Sequence, residues 1–265
     1  MMISRRSIPK VMAATTLVLG GCGGGDGSVL VDVDVTSTIG SAGGTIADSG
    51  VSVVIPAGEF ASDTEVRVQT VDASALPLAL PEGLTAASSF IRVSTDPADE
   101  YFDLQVSIPY GGEGATILQL QYDAYDEEWE WEVADDDYGG VSLANGVATA
   151  GFGYAGYFVV VRPVSVPGVD VEALCEGFLT CEDQDEGENY TQAECEARLP
   201  VALTIYASYY GAITPACGDA IVDYYACLAD NWKAEPVCEM DGSYSYFPDF
   251  EACEDALYAA CPEID

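Results

Sequence analysis

The chain has 265 residues, with 45 Asp or Glu, eight Lys or Arg, no histidine and a formal charge of −37 at pH 7. A polyanion of this strength is repelled by nucleic acid and by anionic headgroups, which excludes nucleic-acid binding. The missing imidazole removes His-dependent triads, His-containing zinc sites and the usual general base at neutral pH. With 49% apolar residues the composition is that of a globular protein, and the length predicts about two domains.

Residues 1–10 are basic and residues 11–19 form an apolar run too short to span a bilayer. The run closes on Leu19-Gly20-Gly21-Cys22, followed by a glycine-rich stretch to Ser28. This resembles the lipobox of bacterial lipoproteins. The resemblance implies that residues 1–21 are a signal peptide, that Cys22 is acylated on its thiol and amino group, and that lipid holds the protein to a membrane. Residues 22–28 are then a flexible tether. Gly23, where aspartate would signal inner-membrane retention, points to the outer membrane. Ser4-Arg5-Arg6-Ser7-Ile8-Pro9-Lys10 also resembles a twin-arginine export signal, with Pro9 departing from the pattern, so this route and the general secretory one both stay open. Cleavage would leave Arg67, Arg92, Arg162, Arg198 and Lys233 against all 45 acids. The acids are spread along the chain, which suits a surface facing a salty exterior more than a localised cation collector.

Residues 29–165 contain no cysteine and read as short strands. Val29 to Val35 alternates apolar and acidic residues in its second half, and similar runs follow at 51–55, 65–71, 90–94, 104–109, 117–122, 129–133, 141–143, 147–151 and 157–162. Many short strands with turn signals between them predict an all-β antiparallel sandwich. Gly43-Gly44 permits positive φ at a strand entry, and Ile55-Pro56-Ala57-Gly58 ends a strand by removing a donor.

Those punctuation residues, with Thr95-Asp96-Pro97 and Ser107-Ile108-Pro109-Tyr110, resemble the ZU-five domain of ankyrins, netrin receptors and zonula occludens proteins. The likeness covers residues 38–162. It implies a β-sandwich that mediates protein contacts. Some relatives cleave themselves at a His-Phe-Ser sequence, but here the late segment reads Gly153-Tyr154-Ala155-Gly156-Tyr157, so self-cleavage is not expected. Within Glu127-Glu128-Trp129-Glu130-Trp131-Glu132, period two puts Trp129 and Trp131 on one face, either as core or as a platform for sugar rings. Asp135, Asp136 and Asp137 read as an acidic hairpin tip, with Ca²⁺ ligation the alternative.

After the stiff linker 163–168 the periodicity turns helical, and residues 169–265 predict a small all-α, disulfide-stapled bundle. Asp170 caps a first helix, Thr191-Gln192-Ala193-Glu194 is a capping box opening a second with Pro200 inside it, and residues 218–232 and 248–261 give two more. Cys175, Cys181, Cys195, Cys217, Cys227, Cys238, Cys253 and Cys261 all lie here, an even set that predicts four disulfides formed in an oxidising compartment. On a continuous helix Cys175 and Cys181 would lie about 9 Å apart, and Cys253 and Cys261 about 12 Å, beyond the roughly 7 Å that a bridge spans. These four therefore pair between elements, with the connectivity otherwise open. The arrangement resembles cysteine-rich helical domains in lipoproteins of myxobacteria.

One metal candidate lies between the first two helices. Asp183, Asp185 and Glu194 fall at positions 1, 3 and 12 of an EF-hand-like loop, although Gly187 sits at position 5 where position 6 needs it. The tyrosines of this region are either partial core or a binding surface. The functional expectation is a lipid-anchored envelope protein that contacts an unknown protein or glycan without catalysis and without a required cofactor. A Ca²⁺-binding acidic module is the alternative, and a carboxylate-dependent hydrolase is the remote one.

Overall fold

The computed structural model describes residues 29–96, 101–123, 128–134, 140–181, 191–234, 236, 238–241, 244–246 and 251–262. Its first half holds β1 (Asp34–Ile39), β2 (Gly44–Asp48), β3 (Val51–Ile55), β4 (Thr64–Val71), β5 (Phe90–Asp96), β6 (Tyr101–Pro109), β7 (Thr116–Asp123), β8 (Glu128–Val133), β9 (Ser142–Ala144), β10 (Val147–Tyr154) and β11 (Gly156–Val161). These strands form two antiparallel sheets, ordered β1-β4-β5-β11-β7-β8 and β2-β3-β6-β10-β9. Period-two alternation explains the layer between them. In β4, Val66 and Val68 turn inward while Glu65 and Arg67 face solvent, and in β6, Phe102, Leu104, Val106 and Ile108 do the same. Each such side chain, once buried, contributes about 1.5–3 kcal/mol.

Two details differ from the sequence reading. The stretch 29–35 is mainly the approach to the first strand, whose ladder begins at Asp34. Before that point hydroxyls replace ladder partners: Val31 N donates to Ser89 Oγ (3.0 Å) and Val33 N to Thr70 Oγ1 (3.0 Å). The backbone is thus satisfied without regular pairing, while Val33 still points into the core. The other difference is β2, a strand the alternation did not reveal; it pairs with β3 after a turn in which Gly43 has φ +68° and its α-carbon passes so close to Ile55 O that no side chain fits.

The second half holds α1 (Val171–Cys181), α2 (Gln192–Ile213), α3 (Pro215–Ala234), a short hairpin of β12 (Glu239–Asp241) and β13 (Tyr244–Tyr246), and α4 (Glu251–Ala260). The hairpin was not foreseen. Asp170 Oδ1 accepts from Ala173 N (3.2 Å) at the start of α1. At α2, Thr191 Oγ1 accepts from Glu194 N and the Glu194 carboxylate accepts from Thr191 N, so both halves of the capping box are made. Such a cap stabilises a helix start by about 1 kcal/mol. The helix continues through Pro200 and ends at Ile213.

A third layer joins the halves. β11 reads Gly-Tyr-Phe-Val-Val-Val, and both of its faces are covered: Phe158 and Val160 belong to the inter-sheet core, whereas Tyr157, Val159 and Val161 belong to a second cluster on the outer face. That outer cluster includes Leu118, Leu120 and Trp131 and is closed by Val201 and Ile205 of α2 together with Leu76, Leu80 and Leu84 of the β4–β5 connection. Trp131 Nε1 donates to Ala79 O (2.9 Å), pinning that connection down. α2 follows β8: Arg198 Nη2 donates to Ala134 O at one end, and the Tyr209 hydroxyl donates to Glu128 Oε1 (3.5 Å) at the other. The linker takes part in the packing, with Val166 buried and Val164 against the outer cluster.

Candidate functional site

All eight cysteines of the helical half are bridged: Cys175–Cys195, Cys181–Cys238, Cys217–Cys261 and Cys227–Cys253. The first ties α1 to α2, the second ties the end of α1 to the segment before β12, and the other two clamp α3 to α4 and its end. Cα separations of 4.8–5.8 Å suit a bridge at each place. Bridged and largely buried, these sulfurs serve the fold and not chemistry. Cys22, the predicted lipidation site, lies outside the described residues.

Of the candidate Ca²⁺ ligands, Asp183 and Asp185 lie outside the described residues, as do Asp135, Asp136 and Asp137. Glu194 is described, and its Oε2 accepts from Thr191 N (2.7 Å) and Thr191 Oγ1 (2.8 Å). Those bonds hold its carboxyl below the ordinary range. Among the described residues no group of three or more His, Cys, Asp or Glu could hold a metal ion. Asp34 is likewise lowered, first by its hydrogen bond with Arg67, and Asp170 by its hydrogen bond with Lys233. Carboxyls shifted this way are ionised at neutral pH, the opposite of what a general acid needs.

The tyrosines divide. Tyr225 packs between the helices, where burial pushes its phenol up to about 12. Tyr206 and Tyr209 stand about half exposed on α2.

The arrangement that does form a recess lies at one end of the six-stranded sheet. β11 starts only at Gly156, which pairs with Val93, whereas β5 continues to Asp96 and β7 to Asp123. The chain arrives there from β10 in the other sheet, and Gly156 passes so close to Leu120 O that a β-carbon would lie 2.6 Å away. An open-sided cleft of about 130 Å³ results, lined by Arg92, Gln121, Tyr122, Trp129, Tyr154 and Tyr157 among others. Trp129 is half-buried, with ring centroids 5.5 Å from Tyr122 and 5.8 Å from Tyr157. The expectation that the two tryptophans share a face holds, but Trp131 is buried under α2, and only Trp129 reaches the cleft.

Polar groups complete the recess. Gln119 and Gln121 lie on the same side of β7 as Ile117 and are both buried. Gln119 Nε2 donates to Tyr154 O (2.7 Å) at the crossover between sheets. Gln121 Nε2 donates to Glu130 Oε1 (3.3 Å), which leaves its carbonyl oxygen, Oε1, buried with no partner among the described residues. The amide cannot turn round to correct this, because the Glu130 carboxylate only accepts. A buried acceptor left open costs about 1–3 kcal/mol, so the position asks for a donor. Arg92 lies over the Tyr157 ring, 5.4 Å from its centroid, and makes no ion pair among the described residues. By contrast Arg67 pairs with Asp34 (2.8 Å), and Lys233 with Asp170 (2.9 Å) and Asp230 (3.2 Å).

Sequence reasoning singled out only Trp129 from this cleft. Arg92, Gln121, Tyr122 and Tyr157 come from three strands far apart in the chain. The one available signal was the unbroken apolar run of β11, which marks a strand covered on both faces and therefore a partner for the outer face. No family model matches the chain, and no curated protein is similar to it.

Proposed function

We propose that the protein is a lipid-anchored component of the cell envelope, held in the outer membrane through Cys22, that contacts a protein or glycan partner without catalysing a reaction. The sandwich is read as ZU-five-like, in keeping with its paired antiparallel sheets and the glycine and proline punctuation at its strand ends. The observation that carries the reading is the cleft of Arg92, Tyr122 and Trp129, which offers aromatic surface and an exposed guanidinium without an ion pair among the described residues. A single block, made by docking α2 on the sheet, presents that cleft rigidly. Rigid presentation favours contact, since little ordering entropy is lost on binding.

Two measurements test this. Intact mass of the exported protein, with and without reduction, should show acylation that is lost in Cys22→Ser, and an eight-proton gain on reduction of four bridges. An unacylated mature protein in the soluble fraction would sink the anchoring half. For the contact half, the purified oxidised chain is titrated onto separate polysaccharide and protein fractions of its own envelope, and saturable binding to one of them is expected. Absence of binding to both would sink it.

A further inference from the structure

Resting on the contact reading, we infer that the sheet-end cleft is a binding site for a carboxylated sugar residue, a uronic-acid ring at the end of or within a glycan chain. Three features of the cleft each select one part of such a ring. Arg92 is an exposed guanidinium with no ion pair among the described residues, and it lies over the Tyr157 ring. A fork of this kind recognises a carboxylate through two parallel charge-assisted hydrogen bonds. The recess between the ends of β5 and β7, where β11 has not yet begun, takes the body of the ring. Trp129 and Tyr122, the first half-buried and the second 36% exposed, give the apolar wall on which the C–H face of a pyranose packs.

Size and charge narrow the class further. A volume of about 130 Å³ lies below the roughly 300–1,000 Å³ of sites that enclose a drug-sized ligand. It takes one ring and leaves the rest of a chain outside. A neutral sugar would leave Arg92 unpaired. A purely anionic ligand such as inorganic phosphate would have no use for the aromatic wall. The field of the whole chain opposes any anion, but at 0.15 M ionic strength the Debye length is about 8 Å, so a bound carboxylate feels Arg92 far more than the distant acids.

The test is a titration of the oxidised mature chain with trigalacturonic acid and with galactotriose at 0.15 M salt. It is read by tryptophan fluorescence and by the indole N–H resonance of Trp129. Trp131 and Trp232 are 5% and 2% exposed and serve as internal controls. Trigalacturonic acid is expected to saturate and to move the Trp129 signal alone, with galactotriose at least tenfold weaker. Arg92→Gln should weaken the acidic sugar about 10- to 100-fold, the size of a charge-assisted pair. Arg92→Lys should fall between, and both should leave the melting temperature unchanged because the side chain is exposed. Equal affinity for the two sugars, an Arg92→Gln variant that binds as well as the parent, or binding of an acidic tripeptide in place of the sugar would each overturn the assignment. If neither sugar binds while the chain still captures an envelope fraction and Arg92→Gln does not affect that capture, the cleft assignment falls and the contact reading stands. If the envelope fractions are not bound either, both fall.

Discussion

The sandwich and the helical half solve the same problem by different means. Among the described residues the sandwich buries 23 apolar residues in one cluster between its sheets and holds no cysteine, whereas the helical half has clusters of seven and three and carries all four disulfides. A core that size stabilises its own fold, but the smaller clusters need loops closed in the unfolded chain, and bridges spanning 20 to 57 residues do this. Cross-links thus replace missing apolar area. Where the halves meet, α2 borrows the outer face of the sandwich as its second core.

The largest effect expected from breaking this contrast is full reduction. Each bridge contributes about 2–4 kcal/mol, and a small core alone supplies about 3–5, so the helical half should unfold while the sheets persist. Far-UV circular dichroism of the reduced chain should lose its helical bands and keep its strand signal. Helices that survive reduction at 25 °C would show that packing, not cross-linking, holds them.

Next in size is Ile205→Ala at the junction. Removing this buried side chain should cost about 2–5 kcal/mol and, because α2 serves both halves, should split one calorimetric transition into two. A single transition merely shifted downward would mean that the halves are coupled through other contacts.

The smallest effect probes the interior of the helical half through Tyr225. Its phenol is raised to about 12 in the folded state, chiefly by burial, so the neutral form is the one the fold favours. The resulting stability is complete below the unfolded value near 10 and is lost as pH rises from there through about 12, about 1–2 kcal/mol of it by pH 11. Urea midpoints at pH 9 and pH 11 should therefore diverge more for the parent than for Tyr225→Phe. Equal divergence would place Tyr225 outside the packed region.

Much of the local structure was legible because its causes are local. Thr191 and Glu194 identify a helix start by side-chain chemistry within four residues, and β3, β4 and β6 show alternation because one face of each is solvated. Legibility failed where a backbone partner was not regular. Val29 to Val33 has a strand's pattern, but the Val31 and Val33 amides are taken by the Ser89 and Thr70 hydroxyls, which no periodicity announces. The candidate site was nearly invisible: Trp129 was noticed for its alternation, yet Gln121 and Tyr122 read as an ordinary end of a strand.

By itself the sequence determined the charge, the absence of imidazole, the antiparallel strands followed by helices, and the need for cysteines to bridge between elements, since these follow from composition and from spacing along one element. Only the tertiary structure decided which cysteines meet, that α2 lies along β8 over the outer sheet face, and that Arg92, Gln121 and Trp129 share one recess. The last of these depends on where β5, β7 and β11 stop relative to one another, at the crossover through Ala155 and Gly156 from one sheet to the other. The chain can close around its core only by leaving that corner open.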